Sequence, residues 1–339
     1  MIRCPFCLIF SLFLTLSLNS IAHAKTQIAE PQNQQAWSFV NPINIDPLNI
    51  SGVVVTEQFM ALVTDEGNQL ELFKLSTNGW QSLQVITLTK SLDEIDIEGL
   101  AWQKPYLYAL GSHSAKRKKI KDSASQKENL KRLQETSPEV ARQQLFRIEL
   151  NSQFAATDIQ SVSLQPLLEA NPILKNFIGL PSKENGIDME GLAIDHEGRL
   201  LIGLRGPVLR GNIGSIFRIE TKKKRFEIKK SKLLYFDAEG RGVRGLTETP
   251  NGFLVLTGAM GDQPMSYQVY RWNGKNALAG SDAKDSDFSY LCDLPDSKGK
   301  PEGIQFLKQS PQHIEFMIVE DGLNQGQPTS YRCKLNGHK

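Results

Sequence analysis

Five times along the chain a short apolar segment opens on a residue followed by glycine: Ser51-Gly52, Glu98-Gly99, Glu190-Gly191, Arg244-Gly245 and Glu302-Gly303. No other feature constrains the fold as strongly. Internal repetition at this kind of spacing marks modules that cannot bury an apolar face alone and must stack on copies of themselves. Each opening leads to a second strand-like run, read as Phe59 to Thr64, Tyr106 to Gly111, Arg199 to Leu204, Phe253 to Gly258 and Ile314 to Glu320. Third runs follow as Gln69 to Leu75, Gln144 to Leu150, Ser215 to Ile219, Tyr267 to Trp272 and Tyr331 to Leu335. Fourth runs are Trp80 to Leu88, Asp158 to Leu164, Leu233 to Phe236 and Phe288 to Leu291. All are short, rich in β-branched and aromatic residues, and parted by turn chemistry such as Asp65-Glu66-Gly67-Asn68. Four strands per repeat predict an all-β fold, a β-propeller of five four-stranded blades.

The interval between Gly99 and Gly191 is the longest. It holds a charged, helix-prone insertion at 115–142 and a smaller one at 165–185, where Pro172 to Ile178 reads as a short helix. A sixth, degenerate blade hidden there is the alternative. The fifth repeat runs out of chain after its third strand. Because an unpaired strand edge invites aggregation, an N-terminal strand is expected to complete the last blade, with Trp37 to Ile45 as the donor.

Residues 1–24 have Arg3 as a positive start, an apolar run from Phe6 to Leu18, and Ala22-His23-Ala24 as a small-x-small cleavage signal. This predicts a secretory signal peptide, leaving a single domain at 25–339 that is periplasmic or secreted. The run is too short to cross a bilayer, and no later segment is long and apolar enough. The Cys4-x-x-Cys7 motif would leave with the signal, so only Cys292 and Cys333 meet the oxidising compartment in which disulfides persist. Whether they pair is not legible in the sequence. Thirty-nine basic against 37 acidic residues give a net charge of +2, which excludes the strong positive field of a nucleic-acid binder. A monomer is expected.

Propeller geometry turns the repeat into a place. The innermost strand of each blade starts, and the second strand ends, at the same mouth of the central channel. One rim should therefore gather Ser51, Glu98, Glu190, Arg244 and Glu302, with Asp96 and Asp188 two residues upstream, and Asp65, His113, Arg205, Asp262, Glu320 and Asp321 from the second strands. Several like charges brought together call for a compensating cation or arginine. Carboxylates from different strands suit Ca²⁺, which accepts irregular oxygen sets, so Glu98, Glu190, Glu302, Asp96 and Asp188 are the candidate metal ligands. Arg205 and Arg244 are candidates to neutralise the acids or grip an anion, and His113 is the candidate proton shuttle.

At these residues the chain resembles a bacterial family known as domain of unknown function 3616. The likeness rests on Asp96-Ile97-Glu98-Gly99-Leu100-Ala101 followed by Ala109-Leu110-Gly111-Ser112-His113-Ser114. It rests also on Asp188-Met189-Glu190-Gly191-Leu192-Ala193 followed by Ile202-Gly203-Leu204-Arg205-Gly206-Pro207. It spans roughly Leu48 to Leu335 and implies no activity. A more distant resemblance, through the Asp-x-Glu-Gly-Leu-Ala opening, is to exported propellers with phytase-related, esterase-like activity; it implies rim carboxylates at Glu98 and Glu190. Two functions compete on this reading. One is a calcium-dependent hydrolase of phosphate or carboxylic esters. The other is a non-catalytic propeller of the cell envelope that binds a small anionic ligand or an envelope protein. The mature sequence has no nucleotide-loop, zincin or serine-elbow motif.

Overall fold

The computed structural model describes residues 27–32, 37–91, 93–222, 225–280 and 285–335. The expected signal segment, with Cys4 and Cys7, lies outside them. Five four-stranded antiparallel sheets form the blades. From the axis outwards, blade one is Ile50–Val55, Met60–Thr64, Gln69–Ser76 and Gly79–Thr87; blade two is Ile97–Gln103, Tyr106–Gly111, Leu145–Leu150 and Ala156–Val162. Blade three is Asp188–Ile194, Leu200–Gly206, Ile213–Thr221 and Ile228–Asp237; blade four is Gly242–Thr249, Gly252–Gly258, Gln268–Trp272 and Phe288–Asp293. Blade five is Lys300–Gln309, His313–Asp321 and Thr329–Lys334, closed by the N-terminal pair Glu30–Pro31.

The ring thus has five blades, and the long interval contains no sixth. It holds a two-stranded ribbon, Ala115–Arg117 with Thr136–Pro138, around the helix Gln126–Gln134, and beyond them the helix Gln165–Ala170 and a short turn at Leu174–Phe177. The closing strand is N-terminal as expected but lies upstream of the expected donor. Glu30 and Pro31 pair with Arg332 and Tyr331, and Ile28 bridges Asp293 of blade four. Trp37 to Ile45 does different work. Phe39 bridges Trp80 on the outer strand of blade one. Farther on, Asn44 donates from its backbone and side-chain nitrogens to the buried Glu71 carboxylate, each at 2.6 Å. Ile43 and Ile45 pack with Met317 and Val319, sealing blade five against blade one. Cys292 and Cys333 are joined by a disulfide that ties blade four to blade five beside the closing strand.

Apolar side chains fill all five junctions between neighbouring blades. At the axis the repeat glycines do the packing. A β-carbon on Gly99 would stand 2.8 Å from the Glu190 carbonyl oxygen, and one on Gly245 would stand 2.9 Å from the Glu302 carbonyl oxygen. One on Gly303 would meet the Gly52 Cα at 3.3 Å, and one on Gly52 the Gly99 Cα at 3.4 Å. The inner strands therefore approach each other closely enough that no side chain fits between them. On the side following the glycines, the channel widens into a cavity of about 160 Å³ bounded by residues such as Val54, Leu100, Leu192, Leu246 and Ile304.

The residue before each glycine is set apart by the same construction. Register shifts fall between Ile50 and Gly52, Ile97 and Gly99, Met189 and Gly191, Val243 and Gly245, and Pro301 and Gly303. Ser51, Glu98, Glu190, Arg244 and Glu302 are thus the extra residue of a β-bulge in every blade. A bulge bends its strand and redirects one side chain out of the alternation, which aims these five into the mouth.

Candidate functional site

The mouth is a buried network of ions. Arg244, only 3% exposed, donates from Nη1 to Glu190 Oε1 at 2.8 Å and from Nη2 to Glu302. Arg205 donates to Asp188 Oδ2 at 2.5 Å and shares Glu190 Oε1 at 2.7 Å. Arg142 pairs with both Asp96 and Glu94. The hydroxyls of Ser112 and Ser114 also donate to Asp96, the latter at 3.2 Å. Ser51 Oγ donates to the Ile97 carbonyl at 2.5 Å, joining blade one to blade two. Glu98, Glu190, Arg244 and Glu302, spread over more than two hundred positions of the chain, are thereby brought to one opening.

These pairings change the roles expected of the two arginines. Each guanidinium serves two carboxylates through its terminal nitrogens, so Arg205 and Arg244 neutralise the acids, while the Nε of each is buried without a hydrogen-bond partner. Buried pairs of this kind are costly to desolvate, and costlier still to break.

Two acids are left over. Asp65 Oδ1 and Glu98 Oε2 are buried without a hydrogen-bond partner. Burial pushes Asp65 up to about 8, helped by the charges of Glu302 and Asp321. Burial likewise drives Glu98 well above the usual carboxylate range, followed by the charges of Glu190 and Asp96. Asp65, Asp96 and Glu98 each offer an oxygen within 4.8 Å of the others. Ligands on opposite sides of a calcium ion, at ~2.4 Å each, lie ~4.8 Å apart. An all-oxygen donor set fits a hard cation and disfavours zinc or copper. Of the expected ligands, Glu98 is not paired with arginine and Asp65 joins it, Asp96 contributes to the cluster while paired with Arg142, and Glu190, Glu302 and Asp188 are committed to Arg205 and Arg244.

His113 is not a free proton shuttle. Its Nδ1–H donates to the Gly111 carbonyl at 2.8 Å, and its Nε2 accepts from the Leu164 backbone N–H at 3.1 Å. Both ring nitrogens are therefore engaged, and the ring braces blade two against the 165–185 insertion. Burial holds its pKa down to about 4, from 6.5. The unfolded chain takes up this proton near 6.5 and the native chain only near 4. Stability is therefore complete above that window and is lost as pH falls through it, by about 3 kcal/mol at the lower end. A His113→Gln variant is expected to flatten this part of the acid limb in urea unfolding at stepped pH.

Other rim candidates settle at the edges. Asp321 pairs with Lys300 at 2.5 Å, and Glu320 accepts from Ser297. Asp262 is 76% exposed and pairs with Lys183. Sequence reasoning missed Arg142 and Tyr267. Both precede third strands, which also start at this mouth, and that third set of positions is the signal that finds them. Tyr267 packs with Arg244 around Gly258, and burial raises its phenol above the ordinary value.

The family model described as "Protein of unknown function (DUF3616)" matches residues 49–332. No curated protein matches. Among solved structures, an exo-β-1,3-galactanase from Clostridium thermocellum is similar at 10% identity and a TM-score of 0.50, over 92% of this chain and 63% of that one. An endo-arabinase from Bacteroides thetaiotaomicron is similar at 11% identity and a TM-score of 0.45, over 89% and 98% of the two chains. At such identities the likeness concerns the fold alone. No helix among the described residues is long and apolar enough to cross a membrane.

Proposed function

The chain belongs to this family of unknown function, and from its mouth we propose that it is an exported calcium-binding propeller in which Asp65, Asp96 and Glu98 hold the cation and a small anionic ligand completes its coordination. The observation that carries the reading is the pair of buried, unpartnered oxygens, Asp65 Oδ1 and Glu98 Oε2, within a three-carboxylate cluster. The terminal nitrogens of Arg142, Arg205 and Arg244 are already paired with acids, so a bound cation would supply most of the positive charge that an anion reaching this site needs. Calcium would supply that charge and open positions for ligand oxygens. The signal-like segment at 1–24 supports a periplasmic or secreted location, where calcium is abundant enough for such a site.

Calorimetric titration of the purified protein with calcium is the test. One saturable site is expected, together with a rise in melting temperature; calcium at a hundred times its dissociation constant adds about 2.7 kcal/mol. Glu98→Gln is expected to weaken binding at least ~10-fold, as loss of one charged ligand should. Absence of both heat and thermal shift in the unaltered protein at millimolar calcium would falsify the site.

Hydrolysis of a phosphate or carboxylic ester at the same centre is a second reading, favoured by the Tyr267 phenol beside Arg244. A panel of phosphate and carboxylic esters, assayed with calcium and with chelator, separates it from ligand binding without turnover.

A further inference from the structure

The insertion at 115–142 is absorbed neither by the ring nor by the mouth. It carries nine basic and four acidic residues. Its helix, Gln126–Gln134, is capped by Ser125 and Glu128 but buries none of its own side chains. Four of its large apolar residues face solvent: Ile120 is 56% exposed, Leu130 53%, Leu133 49% and Val140 67%. A helix that gives nothing to the core, yet displays leucine, needs another surface to account for it.

The basic residues divide by type. All three arginines are turned inward. Arg117 pairs with Glu184 at 2.5 Å and donates to the Leu133 carbonyl. Arg132 donates to the Lys119 carbonyl at 2.5 Å, and Arg142 is locked in the mouth. The lysines are exposed: Lys116 pairs with Glu94, Lys118 with Glu135 and Lys131 stands 3.8 Å from Glu135, while Lys119, Lys121 and Lys127 have no ion-pair partner among the described residues. Leu130 and Leu133, three apart, share one face of the helix. Lys127 and Lys131, four apart, form the adjoining stripe. Arg132 ties the flap together, Arg117 ties it to the 165–185 insertion and Arg142 to the mouth, while a lysine and leucine face is presented outward. Lysine ammoniums are compact point charges on flexible stems, suited to a fluid layer of phosphates more than to one shaped partner site. Their stems can lie along an apolar boundary while the charges stay in water.

We propose that this flap is a docking surface for an anionic phospholipid bilayer, with Leu130 and Leu133 entering the headgroup boundary and Lys119, Lys121, Lys127 and Lys131 meeting lipid phosphates. The arrangement is that of an interfacial helix, which binds by shallow apolar burial together with attraction to anionic lipid. Such docking holds the protein at a membrane face without a spanning segment. It does not depend on the cation site, so either idea can fail alone.

Flotation of the full chain with vesicles tests it. On phosphatidylcholine with about a third phosphatidylglycerol, at about 0.1 M salt, the bound fraction should exceed that on phosphatidylcholine alone by ~10-fold, and should fall to the neutral-lipid level near 0.5 M salt. Two variants, Lys119→Glu/Lys121→Glu/Lys127→Glu and Leu130→Ser/Leu133→Ser, should each reduce binding at least ~5-fold. Because these side chains lie outside the core, their melting temperatures should match the unaltered protein and certify the fold. Equal partition of the unaltered protein onto both vesicles overturns the proposal and leaves the face to an acidic macromolecule. Undiminished binding by the leucine variant overturns it as well, since attraction without insertion would then suffice.

Discussion

Replacing Arg244 with leucine is expected to lower stability by about 3–5 kcal/mol, because it strands Glu190 and Glu302 as charged groups in a buried site. Arg244 is 3% exposed and, among the described residues, is the one cation in ion-pair contact with Glu302, whereas Glu190 keeps Arg205. The effect should therefore be carried mainly by Glu302, and a second substitution, Glu302→Gln, should restore most of it. Urea midpoints of the unaltered protein, the single variant and the double variant make the measurement. A single variant as stable as the unaltered protein would show that the mouth is hydrated and loosely paired, contrary to the geometry described above.

An effect of comparable size is expected at the waist. Gly99→Ala or Gly245→Ala places a methyl group inside 3 Å of a carbonyl oxygen on the neighbouring inner strand. Both atoms are backbone carbonyl oxygens of the inner strands, so neither can swing aside as a flexible side chain would. Overpacking of this kind costs about 1–3 kcal/mol where side chains can yield, and at least the upper part of that range is expected here. Gly67→Ala is the control for composition, since a β-carbon there meets nothing within 4 Å; its positive φ of 88° adds only local strain. Thermal denaturation of the three variants should rank the waist substitutions as the more damaging. Equal losses at Gly67 and Gly99 would contradict close approach as the reason for glycine.

The ring was legible in the sequence because glycine recurs at one position of every repeat and because strands alternate with period two. Those two signals place every second and third strand within two residues of its observed bounds, and the opening of every inner strand within two residues of its start. They also identify the rim, since antiparallel strands return their ends to the same opening. What the repeat could not convey is pairing. Glu98 and Glu190 look equivalent in the sequence, yet Glu190 pairs with two guanidiniums and Glu98 forms no ion pair among the described residues, a difference set by which side chains reach across the bore. Trp37 to Ile45 has the composition of a strand, but it is held by Trp80 and Glu71, contacts that depend on tertiary placement. Gln27–Ala29, which bonds to Asp293 of blade four, and Glu30–Pro31, which pairs with blade five, are too short to announce themselves. His113 sits beside two serines in a pattern that invites a chemical reading. Only its two backbone partners reveal a brace.

The bulge that precedes each glycine separates two jobs that most folds entrust to the same residues. Glycine carries the close backbone contact between neighbouring strands, and the extra residue turns its side chain into the bore. Serine and arginine already sit in sockets that hold glutamate in the other three blades. A wheel built this way can be re-tuned in what it attracts by exchanging charge-matched sockets together, while its rim and spokes stay as they are.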